Sequence, residues 1–257
     1  MRIATWNVNS LRVRLPQLTT WLAANPVEVL AVQETKVTDE EFPFAEIEAL
    51  GYRAVASGQP SYNGVAILSK AESTDVERGI GSFVDEQRRV IAATVGGIRV
   101  LNVYVPNGQA LDSPKFPYKL SWLAALKAHV QGELAKYPRL VLVGDFNIAP
   151  EDVDVHDPKA WEGHIHVTTE ERTLLKEILG LGLVDLFRRF PQPEKSFSWW
   201  DYRMMAFRRN HGLRIDLILA SHAAVEICDT CHVDKEPRKW ERPSDHAPVI
   251  ANFNIAT

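Results

Sequence analysis

Cysteine is nearly absent from this 257-residue sequence, which contains only Cys228 and Cys231. Two cysteines cannot build a disulfide framework, and such scarcity is typical of a reducing compartment. Their C-x-x-C spacing has no second pair of the kind that a zinc site requires. In the strand that we predict around them, a spacing of three places the two thiols on opposite faces. We therefore expect neither redox nor zinc chemistry at this pair.

Long apolar runs are also missing from the sequence. No run approaches the ~18 residues that a transmembrane helix needs. The first residues, Met1 to Trp6, lead into a polar N-V-N-S stretch and not into the apolar segment of a signal peptide. We therefore expect a soluble, cytoplasmic protein with no membrane partner.

The sequence has no excess of positive charge, because 33 Asp and Glu residues outnumber 29 Lys and Arg residues and the net charge is −4. Binding to a nucleic acid would need a local basic patch. The absence of Gly/Ser tracts, Pro-rich runs and internal repeats excludes a flexible linker and a solenoid. With 46% hydrophobic and 24% charged residues the composition is that of a globular protein. We predict a single domain over residues 1–257.

Short apolar runs rich in β-branched residues recur along the chain and predict buried strands. They cover residues 3–6, 29–32, 65–68, 90–95, 100–105, 140–143, 215–219 and 249–253. Helical spacing between them predicts three helices, two of which start near Leu11 and Leu120. The third follows Thr168 and Glu171, which have capping-box spacing. The interleaved elements favour an α/β sandwich of two sheets packed face to face with helices outside.

Polar side chains follow several of these runs where each predicted strand ends. The acids among them are Glu34, Asp145, Asp216 and Asp245. Because strand ends along one sheet edge gather such residues in a crevice, we expect the four carboxylates to share one cleft. They would repel one another unless a cation neutralised them. Oxygen ligands, without a Cys or His pair at zinc spacing, favour Mg²⁺, with Mn²⁺ as a substitute.

Such a site is suited to the hydrolysis of a phosphodiester. The anionic ester repels hydroxide, so a metal must neutralise it and a carboxylate must orient or deprotonate water. Hydrogen-bond donors must stabilise charge on the non-bridging oxygens. Suitable donors in this sequence are Asn7, Tyr104, Asn147 and His246.

Seven motifs, in a fixed order over nearly the whole chain, carry a resemblance to a known family. They are W-N-V-N-S-L-R, Q-E-T-K, Y-V-P-N-G, G-D-F-N-I-A, S-W-W-D-Y-R, G-L-R-I-D-L and S-D-H-A-P. In these motifs the sequence resembles the exonuclease III family (AP endonuclease family 1) of the endonuclease/exonuclease/phosphatase superfamily. The resemblance implies a four-layered α/β sandwich with two mixed β-sheets. It also implies a Mg²⁺-dependent DNA repair nuclease with 3′→5′ exonuclease, abasic-site endonuclease or 3′-end-cleaning activity in base excision repair.

The same resemblance implies roles for the site residues. Glu34 would be the principal metal ligand, and Asp145 would position and activate the water. His246, paired with Asp245, would contact the scissile phosphate. The metal ligands around one or two ions would be Asn7, Glu34, Asp145, Asn147 and Asp245. The catalytic residues would be Tyr104, Asp145, Asn147, Asp216, Asp245 and His246.

The implied partner is double-stranded DNA with 3′ ends, nicks or abasic sites, bound by a monomer. An apolar pocket formed by Trp199, Leu213 and Ile215 would accept a base-less sugar flipped from the duplex. Since Trp199 and Trp200 alternate along the chain, we expect one at the cleft and the other in the core. The other DNA contacts would be Lys36, Asn107, Lys115, His164, His166, Arg203, Arg208 and Arg209. For Lys36, Lys115, Arg208 and Arg209 a plain surface role stays open.

His164 and His166 depart from the family pattern, in which smaller or differently shaped residues are frequent at these positions. Their bulk near the pocket would obstruct the conformation of an internal abasic site. We therefore expect 3′-end processing to predominate over abasic-site incision.

Two other classes of function stay open. A phosphatase acting on a small or lipid-borne phosphate ester would use the same metal site, although S-W-W-D-Y-R and the pocket residues speak against it. A non-catalytic binding protein on a nuclease fold should have lost a metal ligand or His246, and this sequence retains them all.

Overall fold

The computed structural model describes residues 1–255, which form twelve β-strands, eight α-helices and two 3₁₀ helices. The strands are β1 (Arg2–Asn7), β2 (Val29–Gln33), β3 (Arg53–Ser57), β4 (Val65–Ser69), β5 (Thr74–Arg78), β6 (Val90–Val95), β7 (Ile98–Tyr104), β8 (Leu140–Asp145), β9 (Leu183–Asp185), β10 (Asp216–Ser221), β11 (Cys228–Val233) and β12 (Val249–Phe253). The α-helices are α1 (Leu11–Ala24), α2 (Phe44–Ala49), α3 (Lys115–Lys136), α4 (Pro158–Trp161), α5 (Thr169–Leu179), α6 (Leu186–Arg189), α7 (Ala206–Arg209) and α8 (His222–Val225). The 3₁₀ helices are Asp152–Asp154 and Glu236–Lys239.

Within this range the strands form two six-stranded mixed sheets. Their strand orders are β11-β12-β1-β2-β4-β3 and β5-β6-β7-β8-β10-β9. Each sheet contains one parallel pair, β1 with β2 and β7 with β8, and a helix, α1 or α3, makes each connection. A parallel pair requires such a crossover because the chain must return to the same end of the sheet.

Three apolar clusters separate four layers. The cluster between the two sheets includes Ile3 and Val29 from the first sheet and Val100 and Val141 from the second. Helices α1 and α2 cover the outer face of the first sheet, and α3 and α5 cover the outer face of the second. The predicted four-layered sandwich of two mixed sheets flanked by helices is confirmed.

The central strands are buried on both faces, which explains why they appear in the sequence as continuous apolar runs. Along β8, Leu140 and Leu142 belong to the cluster under α3, whereas Val141 and Val143 belong to the cluster between the sheets. All eight predicted runs overlap strands. The unpredicted strands β3, β5 and β9 lie at sheet edges, where exposed or polar residues interrupt the apolar pattern.

The three predicted helices are present. Pro16 lies in the second turn of α1, so the helix lacks one backbone hydrogen bond there. In α3 the predicted Leu120 is only half-buried, whereas Lys119 and Glu133 belong to the buried stripe. Helix α5 begins with the predicted capping box, in which Thr168 accepts the backbone N–H of Glu171. No helix within residues 1–255 is long and apolar enough to cross a membrane.

The expectation that Cys228 and Cys231 lie on opposite faces of β11 is wrong. The register of β11 against β12 shifts between Cys228 and Thr230, and this bulge adds a residue to the strand before Cys231. Both cysteines therefore pack against the core between the sheets, and both are free. Burial raises the pKa of each thiol, so neither is a reactive thiolate at neutral pH.

Candidate active site

The polar residues predicted at strand ends meet at one edge of the two sheets. The first sheet contributes Asn7 at the end of β1 and Glu34 directly after β2. The second contributes Tyr104 at the end of β7 and Asp145 at the end of β8. Asp216 opens the antiparallel strand β10 and lies opposite Asp145 in the ladder. The structure therefore brings together these side chains, as the sequence predicted.

The placement of Asp145 depends on the glycine before it. Gly144 has a φ of +144°, and a Cβ atom at this position would lie 1.9 Å from the carbonyl oxygen of Val103. Only glycine permits this approach of β8 to β7. The backbone that carries Asp145 is fixed by a contact that any side chain would prevent.

Glu34, Asp145 and His246 form a candidate metal centre, with one ligand atom from each lying within 4.8 Å of the others. Asn7 faces the carboxylates through Nδ2, which donates to Glu34 Oε1 at 2.8 Å and Asp145 Oδ2 at 2.9 Å. Its Oδ1, the atom expected to bind a metal, accepts the backbone N–H of Asn9. Asn7 therefore holds the two carboxylates together in this structure.

The expected pairing of His246 with Asp245 is wrong, because His246 Nδ1 lies 2.9 Å from Asp216 Oδ2. Ser198 Oγ donates to the same Asp216 oxygen at 2.6 Å. His246 Nε2 points at the metal centre, 3.7 Å from Asp145 Oδ2. Burial alone would lower the pKa of His246, but the carboxylates of Asp216 and Asp145 raise it to about 10. In the metal-free protein the carboxylates therefore favour the protonated imidazole, which Asp216 orients.

Asp245 has other partners. Its Oδ1 accepts a hydrogen bond from Asn9 Nδ2 at 2.9 Å, and its Oδ2 accepts one from Trp199 Nε1 at 3.0 Å. Adjacent residues in an extended segment point to opposite sides, which separates Asp245 from the ring of His246. The structure therefore places Asp245 at the rim of the site, holding Trp199, and gives no support to its role as a metal ligand.

Asn147 is tightly held beside Asp145. Its backbone has a φ of +50°, and its N–H donates to Asp145 Oδ1 at 2.9 Å. Its side-chain Nδ2 donates to the carbonyl of Val105 at 3.0 Å, and its Oδ1 accepts from Asn107 Nδ2 at 3.1 Å. Because both atoms of the amide have protein partners, the geometry favours an orienting role for Asn147 over metal ligation.

Tyr104 brings a phenol to the same edge. Burial raises its pKa well above the usual value, and the nearby carboxylates of Glu34 and Asp145 raise it further. The guanidinium of Arg89 lies 4.8 Å from its ring centroid. Tyr104 therefore stays protonated at neutral pH and offers an O–H donor.

The predicted apolar pocket is present but covered. Leu213 is 0% exposed and Ile215 is 2% exposed, and the half-buried rings of Trp161 and Trp199 pack against them. The two indoles meet edge to face with centroids 6.4 Å apart. Trp200 is fully buried, so the expected division between a core tryptophan and a cleft tryptophan is observed. In this structure Trp161, Val167 and Trp199 cover the pocket residues.

His166, for which we predicted a DNA contact, is nearly fully buried beside Asn147. It is 6% exposed, and its Nδ1 donates to the carbonyl of Asn147 at 2.6 Å. Its ring centroid lies 6.1 Å from that of Trp161, which packs on the pocket residues. His164 is exposed. The bulk beside the pocket therefore includes Trp161 as well as the two histidines.

Because His166 is buried, we expect the protein to lose folding stability in acid. The substitution His166→Asn should remove that loss. Burial, reinforced by the Lys119 cation, lowers the pKa of His166 to about 4, against about 6.5 in the unfolded chain. Between these values the unfolded state binds more protons, so folding stability falls as the pH falls, by about 3 kcal/mol at pH 4. Asparagine does not titrate and keeps an N–H donor for Asn147. Urea unfolding of wild type and of His166→Asn at pH 7 and pH 4 measures how much unfolding free energy each protein loses in acid. Equal losses in the two proteins would contradict the prediction.

The lysines and arginines predicted to contact DNA differ in their exposure and in their ion pairs. Lys36 Nζ is 2.8 Å from Glu34 Oε2 and so lies beside the metal centre. Lys115 lines a groove of about 740 Å³ that begins at Tyr104 and Asn107. Arg203 is exposed and paired with Asp201. Arg208 and Arg209 are exposed at the end of α7.

Sequence reasoning missed the two methionines beside Arg203. Met204 and Met205 are 76% and 57% exposed and have φ values of +58° and +52°. Exposed apolar side chains on a left-handed backbone are unfavourable in a free surface loop, and such outliers cluster where a partner binds. No sequence motif marks them.

Comparison with known proteins places this geometry in a family. The model of the endonuclease/exonuclease/phosphatase family matches residues 4–246. The chain is 36% identical to exodeoxyribonuclease III of Haemophilus influenzae, over 98% of this chain and 100% of that protein.

Solved structures share the fold closely. The structure of the 3′ phosphatase NExo from Neisseria bound to a product DNA hairpin is 50% identical, with a TM-score of 0.97 over 99% of this chain and 100% of that one. An AP endonuclease from Archaeoglobus fulgidus is 41% identical, with a TM-score of 0.96 over the same shares of both chains. The chain therefore belongs to the exonuclease III branch of the endonuclease/exonuclease/phosphatase family.

Proposed function

We propose that this DNA repair nuclease uses Mg²⁺ to hydrolyse phosphodiesters and phosphomonoesters at the 3′ ends of duplex DNA, acting as a monomer. The observation that carries the proposal is the convergence of Glu34, Asp145 and His246 within 4.8 Å at one sheet edge. The relatives named above, an exodeoxyribonuclease and a DNA-bound 3′ phosphatase, support this reaction class.

The donor set fits a hard divalent cation. Burial raises the pKa of Asp145 to about 7, the His246 cation opposes that rise, and the charges of Asp216 and Glu34 add to it. A carboxylate cluster of this kind needs a positive charge to be fully ionised at neutral pH. Glu34 and Asp145 would hold the ion, and Mn²⁺ could substitute for it. When bound, Mg²⁺ supplies charge neutralisation of the phosphate and polarisation of its oxygens.

Asp145 is the proton acceptor of the proposed reaction, and His246 is an N–H donor. Asp145 Oδ1 is anchored by the Asn147 N–H and its Oδ2 by Asn7, so the carboxylate is held ready to accept a proton from the attacking water. His246, fixed by Asp216, presents its Nε2–H to a non-bridging phosphate oxygen. The donors Tyr104 and Asn107 complete a preorganised shell around the developing charge.

The substrate preference follows from the covered pocket. Incision of an internal abasic site requires an extrahelical sugar. In this structure the pocket walls Leu213 and Ile215 are inaccessible, packed against Trp161, Val167 and Trp199. Hydrolysis at a 3′ terminus does not require an internal sugar to leave the duplex. We therefore propose that 3′-end hydrolysis is the principal activity and abasic incision a minor one.

The test compares two labelled duplexes, one with a recessed 3′ end and one with an internal abasic analogue, with Mg²⁺ and with EDTA. We expect Mg²⁺-dependent shortening of the first and little incision of the second. Glu34→Gln should lower the rate by at least about 100-fold, because the metal loses a charged ligand. Exposed Glu46→Gln is the matched control. Inertness toward both duplexes, with phosphate released from a small soluble ester, would replace the proposal with a phosphatase.

A further inference from the structure

A buried cation lies directly beneath the candidate active site. Lys119, in the second turn of α3, is 0% exposed. Its Nζ donates to the carbonyl of Asn147 at 2.7 Å and to that of Asn107 at 3.2 Å, and it forms an ion pair with Glu171 Oε1. An ammonium has three N–H donors, and each has an acceptor here. The charge is therefore satisfied entirely by two carbonyls and one carboxylate.

Glu171 ties this cation to the neighbouring loop. Its Oε1 also accepts the backbone N–H of His166 at 3.0 Å, and its Oε2 accepts the N–H and hydroxyl of Thr168 at 3.1 and 2.7 Å. The His166 ring then donates to the carbonyl of Asn147, which receives hydrogen bonds from two side chains. This carbonyl belongs to a residue with a φ of +50°, a conformation that persists only when its surroundings enforce it.

Stability does not explain why this pair is ionic. Apolar residues of similar volume often replace a buried ion pair without loss of stability. The two carbonyls that Lys119 binds belong to Asn107 and Asn147, whose side-chain amides bond to each other beside Asp145. The turn at Gly108 also packs closely on the aliphatic part of Lys119: a Cβ atom at position 108 would lie 3.2 Å from Lys119 Cδ.

We propose that Lys119, held by Glu171, is a positioning residue: it sets the backbone of Asn107 and Asn147 and so keeps the Asn147 N–H on Asp145 Oδ1 and the Asn107 amide on Asn147 beside the metal centre. This inference rests on the proposed nuclease function. Lys119 itself touches no substrate. It acts only through the two asparagines.

The test uses paired substitutions, because Lys119→Met alone would leave the Glu171 carboxylate buried without a counter-charge. Lys119→Met/Glu171→Gln removes both charges. The matched control is Lys127→Met/Glu177→Gln, which removes an exposed ion pair of 2.9 Å between the same two helices. We expect the buried double variant to lose about 100-fold in kcat on the recessed duplex, with KM changed less than about threefold. Its Tm should stay within a few degrees of the control.

NMR of the asparagine side-chain amides gives a second readout that needs no activity. We expect the amide signals of Asn107 and Asn147 to broaden or shift in the buried double variant and to stay unchanged in the control. Unchanged signals together with a kcat near that of the control would overturn the proposal and leave the pair a purely structural one. Wild-type protein that cleaves neither duplex would overturn the nuclease function separately, and the amide signals would still decide whether Lys119 positions the two asparagines.

Discussion

Replacing Asp145 with asparagine should lower kcat for hydrolysis at a duplex 3′ end by about 10³- to 10⁴-fold while the protein stays folded. The carboxylate is 1% exposed and accepts hydrogen bonds from Asn7 and from the Asn147 backbone. Asparagine cannot accept a proton from water at neutral pH. It also turns one ligand atom of the metal centre into a weaker neutral donor or into an N–H₂ group facing the Asn7 amide.

Thermal unfolding separates this loss from misfolding. Burial and neighbouring carboxylates raise the pKa of Asp145, so its ionisation opposes folding as the pH rises through about 7 in metal-free protein. Asp145→Asn removes that cost, and its Tm at pH 8 without metal should equal or exceed that of wild type. Mg²⁺ should raise the Tm of wild type and leave that of the variant nearly unchanged. Exposed Asp229→Asn on β11 serves as the control. Full activity of Asp145→Asn, or equal stabilisation by Mg²⁺, would remove Asp145 from the proposed mechanism.

The sequence predicts those site residues that lie next to an apolar run in the chain. Four of the site residues lie at the ends of apolar runs: Asn7, Glu34, Tyr104 and Asp145. Strands that are buried on both faces are easily predicted, because they appear in the sequence as continuous apolar runs. Their meeting at one edge follows from layered α/β topology. This part of the site needs no tertiary information beyond the fold class.

The partners inside the site were not predictable in the same way. Asp245 is next to His246 in the chain, yet the imidazole pairs with Asp216, thirty residues away. Adjacency gives no information on side-chain direction in a bend. Lys119 likewise appears in sequence as an ordinary helical lysine, because a buried cation is recognised only by the carbonyls that converge on it. Edge strands and charge networks depend on contacts between distant segments, and one sequence does not encode them in a local pattern.

Trp161→Ala is expected to raise incision of an internal abasic site by about 10- to 100-fold, the range that a small change in an apolar pocket produces in kcat/KM. The Trp161 ring packs on the cluster of Leu213 and Ile215 and meets Trp199 edge to face. Its removal exposes the walls that a flipped sugar would contact. Hydrolysis at the recessed 3′ end should change less than about threefold, because Trp161 contacts neither Glu34 nor Asp145. The measurement is the ratio of the two rates on the two duplexes.

Two further variants on the same loop show whether the pocket or the loop is responsible. His164→Ala removes an exposed ring that lies 6.1 Å from Trp161 and should leave both rates unchanged. His166→Gly removes a buried donor to Asn147 and should lower both rates together, since it disturbs the metal-centre side of the loop. If His166→Gly instead raised abasic incision as much as Trp161→Ala, loop flexibility and not pocket closure would limit the reaction. A selective gain for Trp161→Ala alone would mean that one indole ring decides which DNA lesions this nuclease accepts.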